Sequence, residues 1–293
     1  IKYFQRYISM NSSKDLNNLV DDIYASIAPL SEGKNLNLPE DLVEDFGQRI
    51  KAAITNWSKP KEQTRGLRMS NIGRPTRQLW YDSRNENKNS ITSSTQIKFL
   101  YGHILEELLL LFVKLSGHTL SDEQKEVEVD GIKGHMDCKI DGEVVDIKSA
   151  SNFAFKKFKD GTLDGDDPFG YLSQLAGYEE AEGTEDGGFL AINKESGELA
   201  FYRPGKFSKP NIKSKISNIK NALTLDSPPE RCYQDVPEGK SGNMRIAKQC
   251  TYCPYKNECW ADANAGKGLL AYKYAAGIKY FTRIAVAPKV PML

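Results

Sequence analysis

Apolar residues recur every three to four positions in several stretches of the chain, which is the spacing of a helix with one buried face. Pro75 and Pro168 can each stand at the beginning of a further helix, where the missing N–H of proline does no harm. The helices predicted in this way cover residues 15–30, 39–58, 72–82, 95–115, 168–182 and 211–225.

Between these helices the apolar positions alternate, or form short continuous runs, as they do in strands. The predicted strands cover residues 126–130, 132–140, 143–148, 188–193 and 199–202. Asp141-Gly142 is typical of a two-residue hairpin turn between the second and third strands. The order of elements predicts an α/β fold with a mixed central sheet flanked by helices.

Three regions are predicted along the chain. Residues 1–94 form an N-terminal helical region, residues 95–226 form the α/β core, and residues 227–293 form a cysteine-bearing, basic C-terminal segment packed on the core. A polar stretch over residues 83–94 links the first region to the second. No internal repeat is visible.

The composition describes a globular protein of near-neutral charge. The 293 residues include 40 Lys+Arg and 39 Asp+Glu, and 39% of residues are hydrophobic. With a mean hydropathy of −0.54, these values exclude a membrane protein, a disordered acidic tail and a fibrous repeat. Residues 1–30 lack the pattern of a secretory signal, so we expect a cytoplasmic protein.

The most informative stretch is the predicted hairpin around Asp141. Asp137 and Asp146 come close to opposite each other on its two strands, and Lys148 projects from the same face as Asp146. Two carboxylates and an amine on one sheet face can bind a hard cation such as Mg²⁺ or Mn²⁺. The alternative is a solvent-facing hairpin of alternating charges, but the apolar neighbours of Asp146 indicate a buried strand.

Two helices add to this pattern. The apolar helix over residues 95–115 carries adjacent glutamates, Glu106 and Glu107, of which one is expected to face the interior. Gln174 and Tyr178 are four residues apart on the next helix and therefore share a face.

The order Gly102-x-x-x-Glu106, Gly134-x-x-Asp137, Asp146-Ile147-Lys148 and Gln174-x-x-x-Tyr178 resembles the RecB-like exonuclease branch of the PD-(D/E)XK nucleases. The resemblance covers about residues 95–205 and implies a restriction-endonuclease-like core. Glu106, Asp137, Asp146 and the main-chain carbonyl of Ile147 would hold the metal. Lys148 would orient or deprotonate the attacking water, and Gln174 and Tyr178 would bind the DNA backbone and brace the site. His135 is interpreted as a structural neighbour, with a ligand role as the alternative.

Four of the five cysteines lie close together in the sequence. Cys250 and Cys253 are separated by two residues, Cys259 follows after a gap of five, and Cys232 lies upstream. Such spacing predicts a metal centre rather than disulfides. It is similar to the C-terminal triad of iron–sulfur RecB-type nucleases, which implies a [4Fe–4S] cluster. The fourth cysteine of those relatives lies well upstream of the core, but no cysteine precedes Cys138 here, so Cys232 is predicted to replace it. Zinc is the alternative. Cys138 is predicted to be a buried core residue.

Positive charge is concentrated in two segments, residues 205–225 and 263–293, and tyrosines accompany it in the second. Basic segments with aromatic residues suit a groove that follows phosphates. The predicted DNA-binding residues are Arg74, Arg77, Ser149, Lys156, Lys157, Gln174, Tyr178, Lys273 and Lys279.

The sequence therefore predicts a Mg²⁺-dependent DNA exonuclease of phage or bacterial recombination, replication or degradation. It would act on single- or double-stranded DNA ends, without a membrane, together with a recombination or single-strand-binding protein as partner. The alternatives are a structure-selective or CRISPR-adaptation-type endonuclease, an enzyme of small phosphates, and a non-catalytic nucleic-acid-binding module built on the cysteine cluster.

Overall fold

A computed structural model describes residues 14–60, 66–85 and 91–293 of the chain. The helices are α1 (Leu19–Ser31), α2 (Glu40–Trp57), α3 (Thr76–Arg84), α4 (Ser93–Leu115), α5 (Asn152–Lys159), α6 (Tyr171–Glu182), α7 (Ile212–Leu223), α8 (Lys248–Thr251), α9 (Lys256–Cys259) and α10 (Ala263–Gly266). The strands are β1 (Leu120–Ser121), β2 (Glu126–Val129), β3 (Ile132–His135), β4 (Cys138–Ile140), β5 (Glu143–Ala150), β6 (Gly188–Asn193), β7 (Leu199–Tyr202), β8 (Val236–Pro237), β9 (Met244–Arg245), β10 (Leu270–Tyr274) and β11 (Gly277–Arg283).

The chain divides into two compact units. Unit 1 contains residues 1–73 and 91–215, and unit 2 contains residues 74–90 and 216–293. The division of the sequence into regions 1–94, 95–226 and 227–293 stays a prediction. Parts of the predicted N-terminal region and of the linker over 83–94 lie outside the described residues.

The centre of unit 1 is a five-stranded sheet in the order β1-β4-β5-β6-β7. β5 and β6 run parallel, whereas the other neighbouring pairs are antiparallel. β6 is buried along its whole length, as expected for a central strand that is covered on both faces. The predicted fold class, a mixed sheet flanked by helices, is confirmed.

Alternate residues of β5 divide between two apolar layers. Val145 and Ile147 pack with α1 and α4, whose Ile23 and Leu109 are fully buried. The opposite layer holds the rings of Phe158, Phe189 and Tyr171, and it belongs to α5, β6 and α6. Because successive side chains of a strand point to opposite faces, the even-numbered Asp146 and Lys148 belong to this second layer.

The predicted strand over residues 132–140 is wrong as a single element. β3 pairs with β2 in a separate two-stranded ribbon, while β4 belongs to the central sheet. The break lies at Met136 and Asp137, because Met136 N–H donates to the Lys125 carbonyl and Gln124 N–H donates to the Asp137 carbonyl. His135 therefore does not lie on the same strand as Asp137. The sequence analysis had placed both residues on one strand.

Unit 2 contains a four-stranded sheet in the order β10-β11-β9-β8. A small core of Ile246, Trp260 and Ala263 lies beside it, and Cys250 and Cys259 pack against this core. The basic C-terminal segment, which the sequence analysis left without secondary structure, contains the hairpin of β10 and β11. None of the described helices has the length and apolar character of a membrane-spanning segment.

Candidate functional site

Two acidic residues meet at the hairpin of β4 and β5. The strands pair Cys138 with Val145, so Asp137, directly before β4, lies across from Asp146. The main-chain N–H of Ile147 donates to Oδ2 of Asp137 over 2.7 Å. Asp146 is fully buried. The hairpin therefore places two carboxylates beside each other, as the sequence predicted.

The buried carboxylate of Asp146 is incompletely satisfied. Lys148 forms an ion pair with it from the same face of β5. Its Oδ2 contacts the Lys148 ammonium in this pair, but no donor among the described residues reaches Oδ1. A buried carboxylate oxygen without a donor is costly, so this position favours a further positive charge.

Glu106 joins this group from α4, although it is distant in sequence. Its Oε1 accepts a hydrogen bond of 2.8 Å from Nε2 of Gln124. Burial, then the carboxylate of Glu107, raise the pKa of Glu106 to about 7, and Asp146 contributes to the rise. Its neighbour Glu107 instead faces Arg49, with 3.5 Å between carboxylate and guanidinium. Glu106 is thus the glutamate that belongs to the site.

Burial and neighbouring charges also shift the pKa values of Asp137 and Lys148. Burial, and after it the charge of Asp146, raise the pKa of Asp137 well above its usual value. For Lys148 burial alone would lower the pKa, but the carboxylates of Asp146 and Asp137 more than offset this, and the pKa is raised. Lys148 is therefore held in its charged form.

Gln124 is a site residue that the sequence analysis missed. Besides its side-chain bond to Glu106, its main-chain N–H donates to the carbonyl of Asp137 over 3.0 Å. Its φ of 53° lies in the left-handed region, which is uncommon for a residue with a side chain. Gln124 thus bridges two acidic residues from the loop between β1 and β2, and no motif in the sequence marks it.

Gln174 and Tyr178 form a short chain of hydrogen bonds on α6. Nε2 of Gln174 donates to the Tyr178 hydroxyl over 3.0 Å, and that hydroxyl donates to the His135 carbonyl over 2.7 Å. Tyr178 is almost completely buried. The pair fastens α6 to the end of β3, one residue before the connection that carries Asp137. The His135 side chain is exposed and lies 3.8 Å from Glu126.

The acidic group fits a divalent cation in its chemistry. Three carboxyl groups share a single ammonium, so their ionised forms would carry an excess of negative charge that a cation could offset, and oxygen ligands suit Mg²⁺ or Mn²⁺. As placed, no three His, Cys, Asp or Glu side chains in the described part of the chain are arranged to hold a metal ion. The contacts of Glu106 with Gln124, of Asp137 with Ile147 and of Asp146 with Lys148 occupy the carboxylates instead.

The four cysteines of the predicted metal centre lie near one another in unit 2. Burial, and after it the thiolates of Cys259, Cys253 and Cys232, raise the pKa of Cys250 to about 11. Burial also raises the pKa of Cys253, and Cys259 and Cys232 add to it. Cys138 is far from them in the sequence and lies fully buried in the apolar core of unit 1, as predicted.

N–H groups point at the sulfur atoms of these cysteines. Nε of Arg77 donates to Sγ of Cys259 over 3.2 Å. The main chain of Arg77 and Gln78 beside Cys232, that of Tyr255 beside Cys253 and the Trp260 side chain beside Cys250 each partly offset the rise in the pKa of the thiol. Donors of this kind orient the sulfur ligands of metal centres, but as placed the described cysteines do not form a group that could hold a metal ion.

Most of the predicted DNA-binding residues already have protein partners. Lys157 contacts the Asp166 carboxylate at 2.6 Å, Arg74 contacts Asp82 at 3.5 Å, and Lys279 pairs with Glu238. Arg77 is committed to Cys259 and to the Pro229 carbonyl. Lys156 on α5 and Lys273 on β10 are exposed, and so is Arg74. Half-buried Ser149 lies on β5 beside Gly102, whose Cβ, if present, would be 3.6 Å from its hydroxyl.

No protein family and no curated protein matches this chain. Solved structures are similar to it at low identity. The protein SSO0001 is 18% identical, over 75% of this chain and 96% of that chain, with a TM-score of 0.38. An alkaline exonuclease from Laribacter hongkongensis is 14% identical, over 52% of this chain and 89% of that chain, with a TM-score of 0.36.

A phage-related exonuclease from Haemophilus somnus is also 14% identical, over 58% of this chain and 96% of that chain, with a TM-score of 0.38. These TM-scores are low, and the function proposed below therefore rests on the residues of this chain.

Proposed function

We propose that unit 1 is a metal-dependent hydrolase of phosphodiester bonds. The observation that carries this proposal is the fully buried Asp146, which lies between Asp137 and the ammonium of Lys148 and whose Oδ1 has no hydrogen-bond donor among the described residues. A bound cation would complete the surroundings of this buried oxygen. Glu106, Asp137 and Asp146 would hold Mg²⁺ or Mn²⁺, with the Ile147 carbonyl as a further predicted ligand.

Within this class we propose a DNA exonuclease of the RecB-like PD-(D/E)XK type, on the sequence motifs that these residues form. When bound, the metal lowers the pKa of a water molecule and offsets charge on the phosphate. Lys148 stays protonated beside Asp146, so it would orient the water and stabilise the phosphate rather than remove a proton. Tyr178, fastened to the His135 carbonyl, would brace the connection that carries Asp137.

We further propose a structural metal centre in unit 2, held by Cys232, Cys250, Cys253 and Cys259. The N–H donors around the sulfurs support a thiolate-bound metal. The choice of [4Fe–4S] over zinc rests on the sequence spacing alone. DNA contacts by the basic residues, a recombination or single-strand-binding partner and a cytoplasmic location remain predictions.

Purified protein incubated with end-labelled single- and double-stranded DNA tests the proposed function. Release of mononucleotides is expected with Mg²⁺ or Mn²⁺, and none with EDTA. Asp146→Asn should lower the rate by several orders of magnitude, because it removes a ligand while preserving the shape of the side chain. Asp160→Asn, at the exposed end of α5, should cleave like wild type and serves as the control.

The other outcomes separate the alternatives. Internal cuts would favour the endonuclease. Hydrolysis of small phosphate esters but not of DNA would favour the alternative that the protein is a metal-dependent enzyme acting on small phosphorylated molecules. DNA binding without cleavage in any metal would favour a non-catalytic module, and equal activity of Asp146→Asn and wild type would refute the site.

A further inference from the structure

An exposed phenylalanine, Phe169, stands on an ordered loop immediately before α6. Its side chain is 61% exposed. The carboxylate of Asp167 accepts hydrogen bonds of 2.9 Å from the main-chain N–H groups of Gly170, Tyr171 and Leu172. Phe169 therefore projects from a fixed backbone, so its exposure does not come from a loose loop.

A second contact fixes the same loop. The main chain of Gly170 touches that of Gly73 so closely that a Cβ on Gly170 would lie 2.2 Å from the Gly73 Cα. Gly170 also has a φ of 75°, which few residues other than glycine adopt. The backbone on the C-terminal side of Phe169 has little freedom to move.

The ring of Phe169 stacks on a second aromatic ring that is anchored in unit 1. Its centroid lies 5.4 Å from that of Tyr171, and the two planes differ by 25°. Tyr171 in turn packs against Phe158 and Phe189, with centroids 6.1 and 6.4 Å away. One face of Phe169 is supported by a buried aromatic cluster, and the ring remains open to solvent elsewhere.

This pair of rings leads directly to the acidic site. The ammonium of Lys148 lies over the ring of Tyr171, 5.0 Å from its centroid, and Lys148 pairs with Asp146. Phe169, Tyr171 and Lys148 therefore form a continuous series from solvent to the site. An aromatic platform beside a cation is the combination that proteins use to bind single-stranded nucleic acid, with a base on the ring and a phosphate on the cation.

We propose that Phe169 is a stacking platform for an unpaired nucleobase of the strand whose phosphate lies at Lys148. The proposal rests on the function proposed above and deepens it, because it names the substrate class. Only an unpaired or terminal base has a free face for the ring, since bases inside a duplex are covered by their neighbours. The substrate is therefore DNA with a single-stranded or frayed end.

Binding in EDTA tests the platform without hydrolysis. Single-stranded oligonucleotides would carry the fluorescent base 2-aminopurine at successive positions from one end. Wild type should quench it at one position, and Phe169→Ala should abolish that quenching and raise Kd about tenfold, within the range for base–aromatic stacking. Phe169→Trp should restore both. Phe207→Ala, at a fully exposed phenylalanine elsewhere in unit 1, is the matched control and should bind like wild type.

Three comparisons complete the test. An abasic site at the quenched position should weaken binding by wild type but not by Phe169→Ala. In Mg²⁺, Phe169→Ala should raise KM for single strands and leave kcat near wild type. A duplex closed at both ends should bind equally to wild type and Phe169→Ala.

The platform and the proposed function can fail separately. Equal quenching, Kd and KM for Phe169→Ala and wild type would overturn the platform, while cleavage that depends on Asp146 would still support the nuclease. If Phe169→Ala lost the same amount of binding affinity for normal and for abasic strands, the platform would likewise be overturned. Wild type that neither binds nor cleaves DNA would overturn both.

Discussion

The carboxylate of Glu106 shows how burial sets the charge of a single residue. Without a cation, burial and the neighbouring carboxylates hold its pKa at about 7, so the folded protein retains a proton there at mildly acidic pH. A bound divalent cation would replace that proton, because metal binding requires the ionised ligand. Proton and metal compete for the same side chain.

This competition predicts a pH-dependent effect of Mg²⁺ on stability. The folded pKa of Glu106 is raised from its usual 4.5 to about 7, so between these values the folded state binds more protons than the unfolded state. The free energy of unfolding of the metal-free protein should therefore fall as pH rises through this range. The Tm increase caused by Mg²⁺ should grow from about pH 5.5 to about pH 8, as scanning calorimetry can measure.

Glu106→Gln provides the control for this prediction. The amide does not titrate, so the part of the pH dependence that comes from Glu106 should disappear. A Tm increase in Mg²⁺ that is the same at both pH values in wild type would contradict the assignment of Glu106 to the metal.

Gln124 supports a second prediction at the scale of one residue. Its amide hydrogen bond favours the ionised form of Glu106, so Gln124→Ala should raise the pKa of Glu106 further. We expect a lower apparent Mg²⁺ affinity at pH 7, about threefold to tenfold, which recovers as pH increases. Calorimetric titration with Mg²⁺ measures it. Gln48→Ala, which removes a similar but exposed hydrogen bond to Glu44 on α2, should leave the affinity unchanged.

The sequence predicts Asp137, Asp146 and Lys148 as site residues from strand alternation and motif order, and it predicts Glu106 from motif order and its place on an apolar helix. It does not reveal Gln124 or Tyr171, because their roles come from contacts made across the fold. Gln124 reaches Glu106 only through a loop with left-handed backbone angles, and Tyr171 meets Lys148 only because α6 covers one face of β5.

Among the secondary-structure elements, α6 shows how the residues before a helix set its start. The sequence predicts a helix from Pro168, but α6 begins at Tyr171. Gly170, the residue before the first turn, has a left-handed φ of 75° that ends the helix there. The two carboxylate oxygens of Asp167 accept the main-chain N–H groups of Gly170, Tyr171 and Leu172. A helix start leaves such donors without partners, and the aspartate satisfies them.

Removal of this cap should destabilise unit 1. Asp167→Ala leaves the three N–H groups without their acceptor, and we expect a loss of about 1–2 kcal/mol in the free energy of unfolding, measured by urea denaturation. Asp167→Asn retains one oxygen and should lose less. Asp164→Ala, at an exposed residue of the preceding turn, should have little effect. Equal stabilities for Asp167→Ala and Asp164→Ala would contradict the capping role.

Several predicted elements coincide with the observed ones. The helix predicted over 95–115 is observed as α4, and the strands over 188–193 and 199–202 are observed as β6 and β7. The strand over 132–140 is wrong because its two halves pair with different partners, which local alternation does not reveal. The sequence analysis does not predict β10 and β11. In β10, Tyr272 and Tyr274 alternate with Lys273 before the turn at Gly277, and this segment was interpreted through its charge.

At the scale of the whole molecule, unit 2 has a much smaller apolar core than unit 1. Its cluster contains Ile246, Trp260 and Ala263, with Cys250 and Cys259 against it. A metal centre held by four cysteines would supply folding free energy that this core lacks, because in such sites metal-binding energy is folding energy. Unit 2 should therefore be the part of the chain that depends on metal.

Metal analysis of anaerobically purified protein tests this dependence. An iron–sulfur cluster gives brown protein with an absorption band near ~400 nm and iron plus sulfide, whereas zinc gives colourless protein with about one equivalent of zinc. Cys253→Ser should lose metal and lower Tm, because it removes a ligand. Changes in the fluorescence of Trp80 and Trp260, both buried in unit 2, should accompany the loss.

Cys138→Ser is the control for the cysteine centre and should retain the full metal content. Loss of metal in this variant would mean that the fourth ligand is wrong. Well-folded protein with neither iron nor zinc would rule out the centre.

The turn at Asp141 and Gly142, with φ values of 51° and 90°, favours early closure of the β4–β5 hairpin during folding. Such a turn closes the β4–β5 hairpin locally within microseconds, whereas β6 can join β5 only after the crossover through residues 151–187 has formed. Asp137 and Asp146 would thus repel each other in the folding nucleus before the second layer covers them. The rate of folding should increase when the repulsion between Asp137 and Asp146 is relieved. A divalent cation that binds both carboxylates would therefore speed folding as well as serve the proposed site.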